Sequence, residues 1–183
     1  HLNVFSPYNT ELARVIFRTI AAKVEMKSGM KFLMLQDDPG EGMQAYLFKR
    51  FYWWDPDCTA EIEKAFGIQI LYKSWKEVNQ RAEKFSDEEA KRLWEERKVP
   101  CEGICEKQIL PAVKLYLAIR ELIQTIKDVK GVGCNCLNES FHSKTTPCLA
   151  WNWIFEYDHL IWSCEGDTVT LISKYIMYAA LKT

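Results

Sequence analysis

Short apolar runs alternate with helical segments along this chain, and that alternation limits its possible folds more than any other feature. The runs are KFLML (31–35), IQILY (68–72), VKGVGCNC (129–136) and HLIWS (159–163). Each is short and largely apolar, so each reads as a strand, and KFLML, bounded by the polar turn QDDPGEG, reads as a buried one. The segments between them carry apolar residues at helical spacing. NTELARVIFRTIAAKVEMKSG (9–29) can be capped by Asn9 or Thr10 and stopped by Gly29. CTAEIEKAFG (58–67) stops at Gly67, and SWKEVNQRAEKF (74–85) is a further helix. SDEEAKRLWEER (86–97) opens with Ser86 and Glu89 in a capping-box pattern. The segment 108–128 aligns Ile109, Val113, Tyr116, Ile119, Ile123 and Ile126 along one core-facing stripe. TTPCLAWNWIFEYD (145–158) takes Thr145 or Thr146 as cap with Pro147 in its first turn, and a last apolar helix runs over 167–181. A helix followed by an aromatic loop is expected over 42–55. Strands alternating with helices predict an α/β fold, a three-layer α/β/α sandwich with a mainly parallel sheet.

The 183 residues suffice for a domain that needs no staple. Lysine plus arginine (24) balance aspartate plus glutamate (25), which gives no electrostatic ground for a nucleic-acid or anionic-membrane partner. No apolar run approaches the ~20 residues of a membrane span. The seven cysteines are odd in number and lack paired metal spacing, so reduced thiols, no structural zinc and a cytoplasmic location are expected. Zinc on Cys134, Cys136, His142 and Cys148 is the competing reading, against which the C-x-C spacing counts. PGEGM (39–43) is a lone glycine pair and not a dinucleotide fingerprint. His1 is not expected to be the natural start.

In open α/β sheets, ligands sit beyond the carboxyl ends of strands. Two acidic stretches occupy such positions. Glu139 follows the third strand, and Glu165 and Asp167 follow the fourth in CEGD (164–167). Carboxylates converging there suit Mn²⁺ or Mg²⁺ better than Zn²⁺. The plain alternative is helix capping, by Asp167 for the last helix and by Glu139 for a short turn before Phe141. Trp53, Trp54, Trp151, Trp153 and Trp162 either fill the core or stack on a ligand.

The wording GCNCLNES (133–140), TTPCLAWNWIFE (145–156) and LIWSCEGDTVTLISKYI (160–176) resembles the L-fucose isomerase-like proteins, and DPDCTAEIEKAFGIQILYKSWKEV (55–78) is similar to their middle domain. The resemblance implies the α/β/α middle domain of fucose and arabinose isomerases over 1–144, and the beginning of a following, truncated domain over 145–183. It implies a metal-dependent aldose–ketose isomerase working through an enediol on a sugar substrate, homo-oligomeric at full length. Glu139 and Asp167 then bind Mn²⁺ or another divalent cation and carry protons, with Glu165 orienting the site. Gly166 stands where the family motif can have alanine. The family's third ligand, a downstream histidine, matches neither His142 nor His159, so this chain alone is expected to be inactive. Leu171, Ile172, Tyr175, Ile176 and Tyr178 are expected to lie exposed, awaiting that following domain. A non-catalytic sugar-binding α/β domain is the alternative function.

Overall fold

A computed structural model of the protein describes residues 4–37 and 56–181; the helix and aromatic loop expected over 42–55, with Trp53 and Trp54, lie outside the described residues. The chain runs α1 (Thr10–Lys27), β1 (Lys31–Leu35), α2 (Pro56–Phe66), β2 (Gln69–Lys73), α3 (Trp75–Ala82), α4 (Asp87–Arg97), α5 (Glu106–Gln124), β3 (Val129–Gly133), the one-turn α6 (Cys136–Glu139), α7 (Cys148–Asp158), β4 (Ile161–Ser163) and α8 (Thr168–Leu181). A 3₁₀ turn, Ser140–His142, follows α6. The four strands form one parallel sheet in the order β2-β1-β3-β4. Helices cover both faces, so the fold is the three-layer α/β/α sandwich that the alternation predicts.

Strand β1 sits at the centre, and Phe32, Leu33, Met34 and Leu35 are each wholly buried. Burial of each such side chain contributes about 1.5–3 kcal/mol relative to leaving it exposed. Successive side chains point to opposite faces. Leu33 and Leu35 pack with Trp75 and Val78 of α3, Val113 and Ile119 of α5, and Trp151 and Trp153 of α7. Phe32 and Met34 pack with Met26 of α1, Ile62 of α2, and Leu171 and Tyr175 of α8.

Opposite Phe32 and Met34, strand β3 offers only glycines to that second layer, while Lys130 pairs with Glu25 of α1 at 2.7 Å. A Cβ on Gly131 would stand 3.0 Å from Ile161 Cγ1 and Phe32 Cδ1 and 3.1 Å from Leu171 Cδ1. The glycine therefore lets α8 lie close against the sheet. The register between β1 and β3 also slips by one residue after Lys31, a bulge that turns Gly131 rather than Lys130 toward Phe32.

The caps explain where several helices begin. Asn9 Oδ1 accepts from Leu12 N at 2.8 Å, and Ser86 and Glu89 close the expected capping box. Pro147, not Thr145 or Thr146, is the residue before α7, and its carbonyl accepts from Trp151 N at 2.9 Å. Strand β3 ends at Gly133, short of the expected Cys136, because the backbone turns there into α6.

The segment beyond residue 144 supplies α7, β4 and α8 to this same sheet and its two layers. The expected exposure of the last helix is corrected. Leu171, Ile172 and Tyr175 are buried, and Ile176 packs against that core from its edge. Helix α1 covers them, and Tyr175 Oη donates to Glu25. Tyr178 alone of the five is exposed.

Candidate functional site

The order β2-β1-β3-β4 reverses direction between β1 and β3. Outgoing connections diverge to opposite sides there and leave a crevice beyond the strands' carboxyl ends. Glu139 occupies this edge. Its carboxylate is wholly buried, and Oε1 accepts a hydrogen bond from Asp37 N, just past β1, at 2.8 Å. The turn that brings it there begins at Asn135, whose carbonyl accepts from Glu139 N at 2.9 Å. Glu139 also precedes the 3₁₀ turn, but its side chain makes no cap bond to that turn. The capping alternative therefore does not account for this carboxylate.

Asp167 lies past the neighbouring strand β4, and here capping is observed. Oδ1 accepts from Thr170 N at 2.8 Å, and Oδ2 accepts from the Thr170 hydroxyl. Each carboxylate oxygen has two lone pairs, so the cap leaves acceptor capacity for a cation. The turn before it is tight. Asp167 N donates to Cys164 O at 3.1 Å, and the two central residues, Glu165 and Gly166, have φ of 57° and 68°. Positive φ at both central positions is the pattern of a type I′ turn. Glycine adopts it freely, whereas glutamate does so at a cost of about 1–3 kcal/mol.

That turn places Glu165 against two thiols. Cys136 Sγ and Cys164 Sγ are 3.1 Å apart, and each lies within hydrogen-bonding reach of Glu165 Oε1, at 3.5 and 3.7 Å. Burial, followed by the contact with Cys164, pushes the Cys136 thiol up to about 12. Cys134, wholly buried beside them, is raised well above the ordinary thiol value, again chiefly by burial. Cys136 and Cys164 thus meet across adjacent strand ends, a pairing that the sequence reading missed. The available signal was their shared placement just past β3 and β4. His142 and Cys148, the other members of the zinc alternative, stand elsewhere. His142 lines a separate groove of about 480 Å³ with Asn79, Glu83, Lys114 and Phe141, and Cys148 accepts from Thr146 Oγ1 at 3.4 Å.

Trp151 and Trp153 are core residues, 1% and 2% exposed. Trp153 meets Tyr116 edge-on at 5.2 Å and stacks on Trp94 at 6.0 Å. Trp162 is half-buried under Lys174, whose Nζ sits 4.2 Å from its ring centroid. Stacking on a ligand is thereby excluded for Trp151 and Trp153 in this fold.

A divalent cation of the hard type fits Glu139 by donor chemistry, because a wholly buried carboxylate keeps its charge only when hydrogen bonds or a cation compensate it. Among the described residues, no helix is long and apolar enough to cross a membrane. No protein-family model matches the sequence, and no curated protein matches it.

Proposed function

We propose that the chain belongs to a metal-dependent aldose–ketose isomerase, with Glu139 and Asp167 as the carboxylates that hold Mn²⁺ or a similar divalent cation. The observation that carries this reading is the wholly buried Glu139 carboxylate at the carboxyl edge between β1 and β3, where the strand order reverses. Its position agrees with the resemblance of residues 133–140 and 160–176 to the L-fucose isomerase-like proteins. On this reading the substrate is a sugar, the protein is cytoplasmic, and the full-length product is a homo-oligomer.

Interconversion of an aldose and a ketose moves one proton between two adjacent carbons and a second between the oxygens they carry. The bound cation would supply Lewis-acid polarisation of the neighbouring sugar oxygens. The chain supplies the base. Glu139 takes the proton from one carbon and returns it to the other. Asp37 N holds Oε1 of Glu139 in place. Asp167, tied to Thr170 in the first turn of α8, would be the second carboxylate on the cation and a second proton carrier.

A non-catalytic sugar-binding domain is the second reading. The observation favouring it is that both oxygens of Asp167 already serve the α8 cap. Incubating the full-length product with aldoses and Mn²⁺ in deuterated water separates the two. An isomerase incorporates deuterium at the carbon next to the carbonyl and loses this ability in Glu139→Gln. A binding module incorporates none.

A further inference from the structure

We infer that Cys136, Cys164 and Glu165 form a second metal site, one that takes a thiophilic divalent cation of the zinc type and is separate from the Glu139 and Asp167 pair. The inference does not rest on the isomerase reading. The three donor atoms are mutually close: the sulfurs are 3.1 Å apart, and Glu165 Oε1 lies 3.5 Å from Cys136 Sγ and 3.7 Å from Cys164 Sγ. A tetrahedral zinc ion, with Zn–S near 2.3 Å and Zn–O near 2.0 Å, separates two sulfur ligands by about 3.8 Å and sulfur from oxygen by about 3.5 Å. The two sulfur–oxygen edges already have that length. Only the sulfur–sulfur edge must open, by roughly 0.7 Å on the same bond lengths. Cys164 is exposed and can swing by that amount.

The donors come from different parts of the chain and are brought together by adjacent strand ends. Cys136 opens α6 beyond β3, whereas Cys164 and Glu165 sit in the tight turn beyond β4. Glu165 is the residue that carries the left-handed φ of 57°, and this conformation directs its carboxylate onto the sulfurs. Three protein donors leave a fourth tetrahedral position for water, the arrangement of open zinc sites. On binding, the two thiols lose their protons to solvent and two sulfur–metal bonds form, with no change of oxidation state. A disulfide between the same sulfurs is the competing chemistry. It would strip Glu165 Oε1 of both thiol donors, whereas a cation uses all three groups.

The test is cobalt titration of the whole, reduced chain under anaerobic conditions. The expected result is a sulfur-to-cobalt charge-transfer band that saturates at one equivalent and that Zn²⁺ abolishes. Cys136→Ser and Cys164→Ser should remove the band, and Glu165→Gln should weaken binding by about tenfold or more. Glu139→Gln should leave the band intact, which keeps this outcome distinct from the fate of the isomerase reading. In the unmutated chain, Zn²⁺ should also protect Cys136 and Cys164, but not Cys101, from alkylation as read by peptide mass spectrometry. This second readout stands even where a serine variant does not fold. Absence of a charge-transfer band, a band that persists without both cysteines, or a Cys136–Cys164 disulfide in thiol-blocked protein that excludes cobalt would each overturn the inference.

Discussion

The backbone N–H of Asp37 donates to Oε1 of Glu139 at 2.8 Å and so joins the end of β1 to the turn beyond β3. The Asp37 side chain reaches the other way, and Oδ2 accepts from Lys76 N in the first turn of α3 at 2.8 Å. One residue thereby fixes a buried carboxylate and the start of a helix together.

Glu139→Gln should abolish Mn²⁺ binding while leaving the fold intact. The amide oxygen can still accept from Asp37 N, but the negative charge is gone. Loss of an outer partner of a metal ligand costs about 10–100-fold in affinity, so loss of the ligand itself should cost at least as much. Paramagnetic resonance titration of free Mn²⁺, beside a circular dichroism spectrum, checks both halves. Unchanged Mn²⁺ uptake would remove Glu139 from the site.

Gly133→Ala should destabilise the protein. The new Cβ would stand 2.7 Å from Ser163 Oγ, 3.1 Å from Ser163 O and 3.2 Å from Met34 Sδ. Overpacking of this kind costs about 1–3 kcal/mol. For a chain of this size each kcal/mol lowers the melting temperature by about 2–4 °C. A melt within error of the parent would contradict the close β3–β4 approach.

Stability should fall at alkaline pH. Burial raises Tyr116 from 10.0 to about 12, assisted by its hydrogen bond to Asp158. Tyr175 is raised too, by burial and then by its bond to Glu25. The folded state holds these phenol protons more tightly than the unfolded chain does. Their contribution is therefore complete below pH 10 and is lost as pH rises from 10.0 toward about 12. Denaturant melts across that range measure the loss, and Tyr116→Phe should flatten part of it.

Trp153→Ala should cost about 3–5 kcal/mol through a cavity, with the proposed Mn²⁺ site unaffected in whatever fraction stays folded. Trp153→Phe should recover most of that stability, because a ring still meets Tyr116. Selective loss of sugar binding at unchanged stability would return Trp153 to a ligand-contacting role.

The sheet was legible in the sequence because a strand buried on both faces must be almost continuously apolar, as Phe32 to Leu35 of KFLML are. The caps at Asn9 and Ser86 were legible because they are local. What remained hidden was long-range. Nothing in the last helix by itself says that Leu171 and Tyr175 meet α1, the most distant segment in the chain. Nothing in C-x-C spacing pairs Cys136 with Cys164, since that contact needs β3 beside β4. Asp167 carried both a capping and a ligand signal in the same residue, and the cap is the part that local chemistry dictates.

The central position of β1 has a consequence for biosynthesis. One edge of β1 pairs with β2, which soon follows it, but the other waits for β3, which emerges only after α3, α4 and α5 have been made. A nascent chain at that stage carries a strand apolar from Phe32 to Leu35 with an open hydrogen-bonding edge, the template on which chains stick to one another. Closing that edge requires a distant contact, which is slow to form. The protein should therefore depend on chaperones that shield β1 until residues 129–133 leave the ribosome, and its yield should fall when translation pauses before them.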